Sequence, residues 1–122
     1  MAKILIVDDD LETTVLFEGI IKTSGHEPFS ITESKNAINA IEIFEPDLIL
    51  LDIMMAQING IAICKLIKSD PNTKDIPVVM VSALSDDGAK RDSYNAGADD
   101  FIVKPIVPKS FLAQINAILD KQ

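Results

Sequence analysis

Thiol chemistry is nearly absent from this sequence. One cysteine, Cys64, stands among 122 residues, so no disulfide can close within the chain. That cysteine and a single histidine, His26, cannot assemble a zinc site, which draws several ligands from those two residue types. Positive charge is also scarce. Eleven Lys and Arg stand against nineteen Asp and Glu, for a net charge of −8. Direct nucleic-acid binding needs Lys/Arg clusters to meet phosphates, so this balance argues against it and favours cationic partners, metal ions included. No apolar run approaches the roughly 20 residues that span a bilayer, so no membrane insertion is expected. The opening Met-Ala-Lys, Ile4–Val7 and three aspartates offers too short an apolar stretch for a secretion signal, and no small-residue cleavage site. With a lone thiol and no such signal, a cytoplasmic location is expected. Repeats, low-complexity tracts and Gly/Ser linkers are missing as well, so nothing marks a domain boundary.

What is present is ordinary for a folded domain: 48% hydrophobic and 25% charged residues. A prior of about 150 residues per domain makes this one domain, over residues 1–122. A chain of this size buries roughly two thirds of its unfolded surface, enough for a core without staples. Short apolar runs alternate with helical patterns. Ile4–Val7, Leu48–Leu51, Val78–Val81 and Phe101–Val103 are continuous and rich in β-branched residues. Such runs suit strands buried on both faces, as in a parallel sheet. A weaker strand is expected over Glu27–Ile31.

Five helices are expected between and after them. Leu11, Val15, Leu16 and Ile20 form an apolar stripe, with Asp10 as N-cap and Gly25 as stop. Ala37, Ile41 and Phe44 form the next, after Ser34 and before Glu45-Pro46. Ile63, Leu66 and Ile67 form a third, ended near Asp70-Pro71. Ser85, Asp86 and Asp87 suggest a capped, acidic first turn for a fourth, with a thin apolar face of Ala89, Tyr94 and Ala96 and with Gly97 beyond its end. Pro108 suits the first turn of a fifth, with Phe111, Leu112, Ile115, Ile118 and Leu119 as its stripe. Strands alternating with helices imply a doubly wound α/β sandwich with right-handed crossovers, most often in the order 2-1-3-4-5.

In such sheets ligands bind beyond the carboxyl ends of the strands. Here each strong run hands over to a polar residue: Asp8, Asp9 and Asp10 after the first, Asp52, then Ser82, then Lys104. The expected order makes strands one and three neighbours, so Asp8, Asp9 and Asp52 should crowd together, flanked by Ser82 and Lys104. Carboxylates about 4 Å apart at an effective dielectric near 20 repel by roughly 4 kcal/mol per pair. Retained protons or a cation must relieve this. Few hard oxygen donors, with room for water and a phosphate, suit Mg²⁺ better than caged Ca²⁺. A cation beside a hydroxyl and an ammonium can hold a phosphoryl group, with Asp52 as the carboxylate placed to attack it.

These residues resemble the receiver domain of bacterial two-component response regulators, along the whole chain. The resemblance is carried by Ile4–Val7 with Asp8-Asp9, by Leu50–Met55 leading to Asn59-Gly60, by Ile76–Ala83, and by Ala96–Phe101 running to Lys104-Pro105. It implies a flavodoxin-like fold and a signalling switch rather than an enzyme. Asp52 would accept a phosphoryl group from a sensor histidine kinase or a histidine phosphotransfer protein, and helix four, strand five and helix five would relay the signal. By the same resemblance Asp8 and Asp9 hold Mg²⁺ with Asp52 and the Met54 carbonyl. Ser82, Lys104 and the Ala83 N–H meet the phosphoryl group, Phe101 is the aromatic switch, and the bond before Pro105 is cis. Homodimerisation on phosphorylation is common in the family. The downstream target is not implied.

Three positions depart from the family pattern, Phe101 among them, because it has no hydroxyl and any signal from its burial must be steric rather than a new hydrogen bond. Ala56 stands where proline is usual, which loosens the Ala56–Gly60 loop without touching a phosphoryl ligand. Asn59 stands where Asp is commoner, and Asn makes a similar turn. Met54 and Leu84 are expected to screen the phosphorylated site from water. Cys64 reads as an inert buried thiol, and His26 as an exposed turn residue. Two other readings are open to these residues. A haloacid dehalogenase-like phosphatase would share the Asp nucleophile, but Glu12 stands where its Thr belongs. A phosphorylation-independent binding module would not need the acidic set.

Overall fold

The computed structural model describes residues 1–83 and 87–121. Leu84, and the Ser85-Asp86 start expected for the fourth helix, lie outside the described residues. The strands are β1 (Lys3–Val7), β2 (Glu27–Ile31), β3 (Leu48–Asp52), β4 (Val78–Ser82) and β5 (Asp100–Val103). The helices are α1 (Leu11–Thr23), α2 (Ala37–Phe44), α3 (Gly60–Ser69), α4 (Asp87–Asn95) and α5 (Pro108–Leu119), with a 3-10 turn at Ser34–Asn36. All strand pairs are parallel, in the order β2-β1-β3-β4-β5. This is the expected doubly wound sheet. Pro28 is tolerated because β2 is an edge strand.

The apolar runs are buried on both faces because side chains alternate across a strand. Leu5, Val7, Ile49 and Leu51 pack toward α2, α3 and α4. Ile4, Ile6, Leu48 and Leu50 pack toward α1 and α5, where the Phe17 and Phe111 rings stack with centroids 5.1 Å apart. Each fully buried aliphatic side chain in these layers contributes roughly 1.5–3 kcal/mol.

Several helix faces differ from the expected stripes. Leu11, Val15 and Leu16 are exposed, and α1 instead buries Thr14, Phe17 and Ile21. Two apolar stripes run along this helix. The winner carries the largest ring, and the Thr14 hydroxyl escapes the cost of burial by donating to the Leu11 carbonyl at 2.7 Å. Leu66 and Tyr94 are likewise exposed. Cys64 takes the core place beside Ile63 and Ile67, and Ser93 lies buried in α4. The end signals hold. Asp10 caps α1 by accepting from the Glu12 N–H, and Pro108 opens α5; Asn59, expected only to make a turn, also caps α3 by accepting from the Ile61 N–H.

Candidate functional site

Register brings the polar residues to one edge. Val7 pairs with Leu51, which sets Asp8 level with Asp52; Asp52 pairs with Val81, one step before Ser82; Ser82 pairs with Val103, one step before Lys104. The Lys104 N–H donates to the Ser82 carbonyl at 2.8 Å, and the Lys104–Pro105 bond is cis, as the family resemblance implied.

Asp8, Asp9 and Asp52 each offer a carboxylate oxygen, and the three oxygens lie within 4.8 Å of one another. Asp8 is 1% exposed and Asp52 is 7% exposed, whereas Asp9 faces solvent. Asp8 Oδ1 accepts from the Asp10 N–H at 2.9 Å, and Asp8 Oδ2 accepts from Lys104 Nζ at 2.8 Å. Lys104 Nζ lies 3.6 Å from Asp52 Oδ1. Burial, and then the charge of Asp8, push the Asp52 carboxyl up to about 6 against the pull of Lys104. Burial would lower the Lys104 ammonium, but its hydrogen bond to Asp8 and the charge of Asp52 outweigh that and hold it above its ordinary value. The Asp10 carboxyl is lowered, chiefly by the Thr13 hydroxyl, so this aspartate belongs to the helix cap rather than to the cluster.

Ser82 is fully buried and Ala83 is exposed beside it. Ala83, Lys104, Pro105, Ile106, Leu16 and Phe17 help line a groove of about 340 Å³ next to the acidic cluster. Met54 is exposed on the loop after Asp52, and Met55 packs against the core. The Phe101 ring is 8% exposed, already inside the α2–α3–α4 layer.

Three contacts escaped the sequence reading. The Ala56 N–H donates to Asp9 Oδ2 at 3.1 Å, so the departure from proline does reach the acidic cluster, through a donor that proline lacks. Gly60 sits against the Asp52 backbone, where a Cβ would run into the Asp52 carbonyl oxygen. Lys104 is closer to Asp8 than to Asp52. The missing proline was the signal for the first; strand order alone carried none for the others. Two side expectations resolve differently. Burial pushes the Cys64 thiol up to about 11, which leaves it inert as expected. His26, in contrast, is half-buried: its Nδ1 accepts from the Ala2 N–H at 3.0 Å, and its Nε2 lies 3.0 Å from Asn116 Oδ1.

Fold and site together define a doubly wound α/β protein with an acidic pocket and one lysine at the carboxyl edge of its sheet. The family model for the response regulator receiver domain matches residues 4–116, and the chain belongs to that family. Receiver domains are phosphoacceptor switches of two-component signalling. The chain is 34% identical over 117 residues to a probable transcriptional regulator ycf27 of Guillardia theta, covering 96% of this chain and 45% of that protein. It is 33% identical over the same length to the DNA-binding response regulator MtrA of Mycobacterium tuberculosis, covering 96% of this chain and 50% of the relative. The chain thus spans about half the length of these curated relatives. Among solved structures, a putative response regulator from Chloroflexus aurantiacus superposes with a TM-score of 0.93 at 30% identity, covering 98% of each chain. The BeF3-activated N-terminal receiver domain of Klebsiella pneumoniae RstA gives 0.90 at 28% identity, covering 96% of this chain and 97% of that one. Among the described residues no helix is long and apolar enough to cross a membrane.

Proposed function

We propose that residues 1–122 act as one receiver domain in which Asp52 accepts a phosphoryl group in a Mg²⁺-dependent reaction. The observation that carries this reading is the gathering of the Asp8, Asp9 and Asp52 oxygens within 4.8 Å, with Lys104 on the same edge. Among the described residues, three carboxylates against one ammonium leave surplus negative charge, and the side-chain donors are hard oxygens. That donor set fits Mg²⁺. Asp8, Asp9, Asp52 and the Met54 carbonyl would hold it. Once bound, the ion supplies charge neutralisation for phosphoryl oxygens.

The donor is a phosphohistidine on a sensor histidine kinase or a histidine phosphotransfer protein. Its P–N bond breaks as a bond forms between phosphorus and an Asp52 oxygen, and the imidazole leaves with the electron pair. Asp52 must be ionised to attack, which its value near 6 permits at neutral pH. Lys104, 3.6 Å from Asp52, is within reach of a phosphoryl group there. The Ser82 hydroxyl and the Ala83 N–H donate to its oxygens. The chain positions and neutralises, while the donor brings the activated group. It works as a switch, not as an enzyme turning over foreign substrates. Met54, exposed on the loop after Asp52, screens the acyl phosphate from water. Faster loss of the phosphoryl group in Met54→Asn than in the wild type tests that role, and equal rates overturn it.

Signalling requires a shift in population. Inverting a 1:99 equilibrium takes roughly 5.5 kcal/mol of differential interaction. Phe101 is already only 8% exposed, so deeper burial of its ring adds little. Most of the differential must come from charge-assisted bonds of Ser82 and Lys104 to the phosphoryl group, about 1.5–3 kcal/mol each. The α4–β5–α5 surface would then carry the change to a partner in the cytoplasm, through contacts that include a phosphorylation-dependent homodimer. DNA binding is a property of the MtrA relative, of which this chain spans about half.

Incubation with acetyl phosphate tests the assignment. The expected result is Mg²⁺-dependent addition of one phosphoryl group to the wild type and none to Asp52→Asn. Equal incorporation by the variant overturns it.

A further inference from the structure

Asp8 and Asp52 are buried in place, and Asp8 is tied twice, to the Asp10 N–H and to Lys104. Asp9 stands in solvent. An exposed aspartate keeps its rotamer freedom unless something holds it, and ordering it is then a cost of binding. What holds Asp9 is the main chain of the facing loop: the Ala56 N–H donates to Asp9 Oδ2 at 3.1 Å, across 47 positions of sequence. Asp9 still offers an oxygen within 4.8 Å of those of Asp8 and Asp52 while so held. The bond joins the loop after β1, which carries two of the carboxylates, to the loop that begins just past the third.

We propose that the Ala56 N–H is a positioning group for the cation site, clamping Asp9 across the mouth of the pocket before the ion arrives. The inference rests on reading the acidic pocket as a Mg²⁺ site. A bond to a carboxylate is charge-assisted and directional, so it restricts both side-chain torsions of Asp9. A proline at this position has no N–H and cannot make it. The chain therefore exchanges a stiff loop residue for a hydrogen bond that reaches a ligand. Ala56 touches neither the phosphoryl group nor the ion in this scheme; it acts through Asp9.

Backbone amide resonances followed during titration with Mg²⁺ alone test the inference on the full chain. Ala56→Pro should weaken Mg²⁺ binding roughly threefold to tenfold, the worth of one immobilised side chain. Ala56→Ser, which keeps the N–H, should bind within about twofold of the wild type, a difference too small to count as the loss of an ordered side chain. Unchanged or tighter binding by the proline variant overturns the proposal, as does equal weakening by both variants. A second measurement does not depend on how well the proline variant folds. In the metal-free wild type the Ala56 amide should be protected from hydrogen exchange, and Asp9→Ala should remove that protection. An Ala56 amide that exchanges as an unprotected one in the wild type overturns the clamp. Absence of Mg²⁺ binding by the wild type defeats the Mg²⁺ reading itself, whereas binding that ignores the Ala56 N–H defeats this inference alone.

Discussion

Lys104 Nζ lies 2.8 Å from Asp8 Oδ2, a pair closed across 96 residues with the carboxylate side chain 2% exposed. The ammonium sits on the first-strand carboxylate and is 3.6 Å from the oxygen of Asp52. Among the described residues it is the cation that the folded chain itself brings to a site with three carboxylates.

Removing it should be felt in three ways. Lys104→Met strands a buried carboxylate, which costs about 3–5 kcal/mol for fully buried pairs and less here, because Lys104 is partly exposed. Denaturation in urea with a chelator present should therefore show a loss of roughly 2 kcal/mol. The Asp52 carboxyl should titrate above its wild-type position near 6, because Lys104 is what pulls it down. Labelling by acetyl phosphate should fall by roughly 100-fold, the usual loss for one preorganised donor.

The raised Asp52 carboxyl makes the stability of the metal-free protein depend on pH. Its folded value is about 6, against 3.8 for the free side chain. Between those values the folded state holds a proton that the unfolded chain has released. The stabilisation is full below the lower value and is lost as pH rises through the upper one. The difference between the two values corresponds to about 3 kcal/mol. Urea denaturation in chelator, compared with Asp52→Asn, should show wild-type stability falling relative to the variant from pH 4 to pH 7. A flat difference would contradict the assignment of the shift to Asp52.

Two glycines should answer oppositely to alanine. At Gly60 a Cβ meets the Asp52 carbonyl oxygen, so either α3 or the backbone of Asp52 must give way. A cost of about 1–3 kcal/mol is expected, with slower labelling because the displaced residue is the proposed phosphoacceptor. Gly19, inside α1, has nothing within 4 Å of a built Cβ. Gly19→Ala should stabilise by about 0.5–1 kcal/mol and leave labelling unchanged. Thermal denaturation and acetyl phosphate kinetics on the two variants check both.

Much of the fold was legible because its signals are local. The four-residue apolar runs at Ile4–Val7 and Leu48–Leu51 admit little besides strands buried on both faces, and Asp10, Gly25 and Pro108 mark helix ends by their own local chemistry. Helix faces were not legible in the same way. Leu11, Val15 and Leu16 form as good a stripe in sequence as Thr14, Phe17 and Ile21. The choice was made by Phe111, which lies far along the chain and offers Phe17 a ring to stack on.

The same division runs through the site. Composition and strand endings by themselves determined which groups would meet: Asp8, Asp9, Asp52, Ser82 and Lys104 each follow an apolar run, and parallel strands deliver their ends to one edge. Tertiary structure alone decided how they pair: the lysine on Asp8, the Ala56 N–H on Asp9, and Gly60 pressed to the back of Asp52. The reason is one of range. Which residues end a strand is settled within a few positions of chain. Which oxygen an N–H reaches is settled to tenths of an ångström, by loops whose course depends on everything packed beneath them.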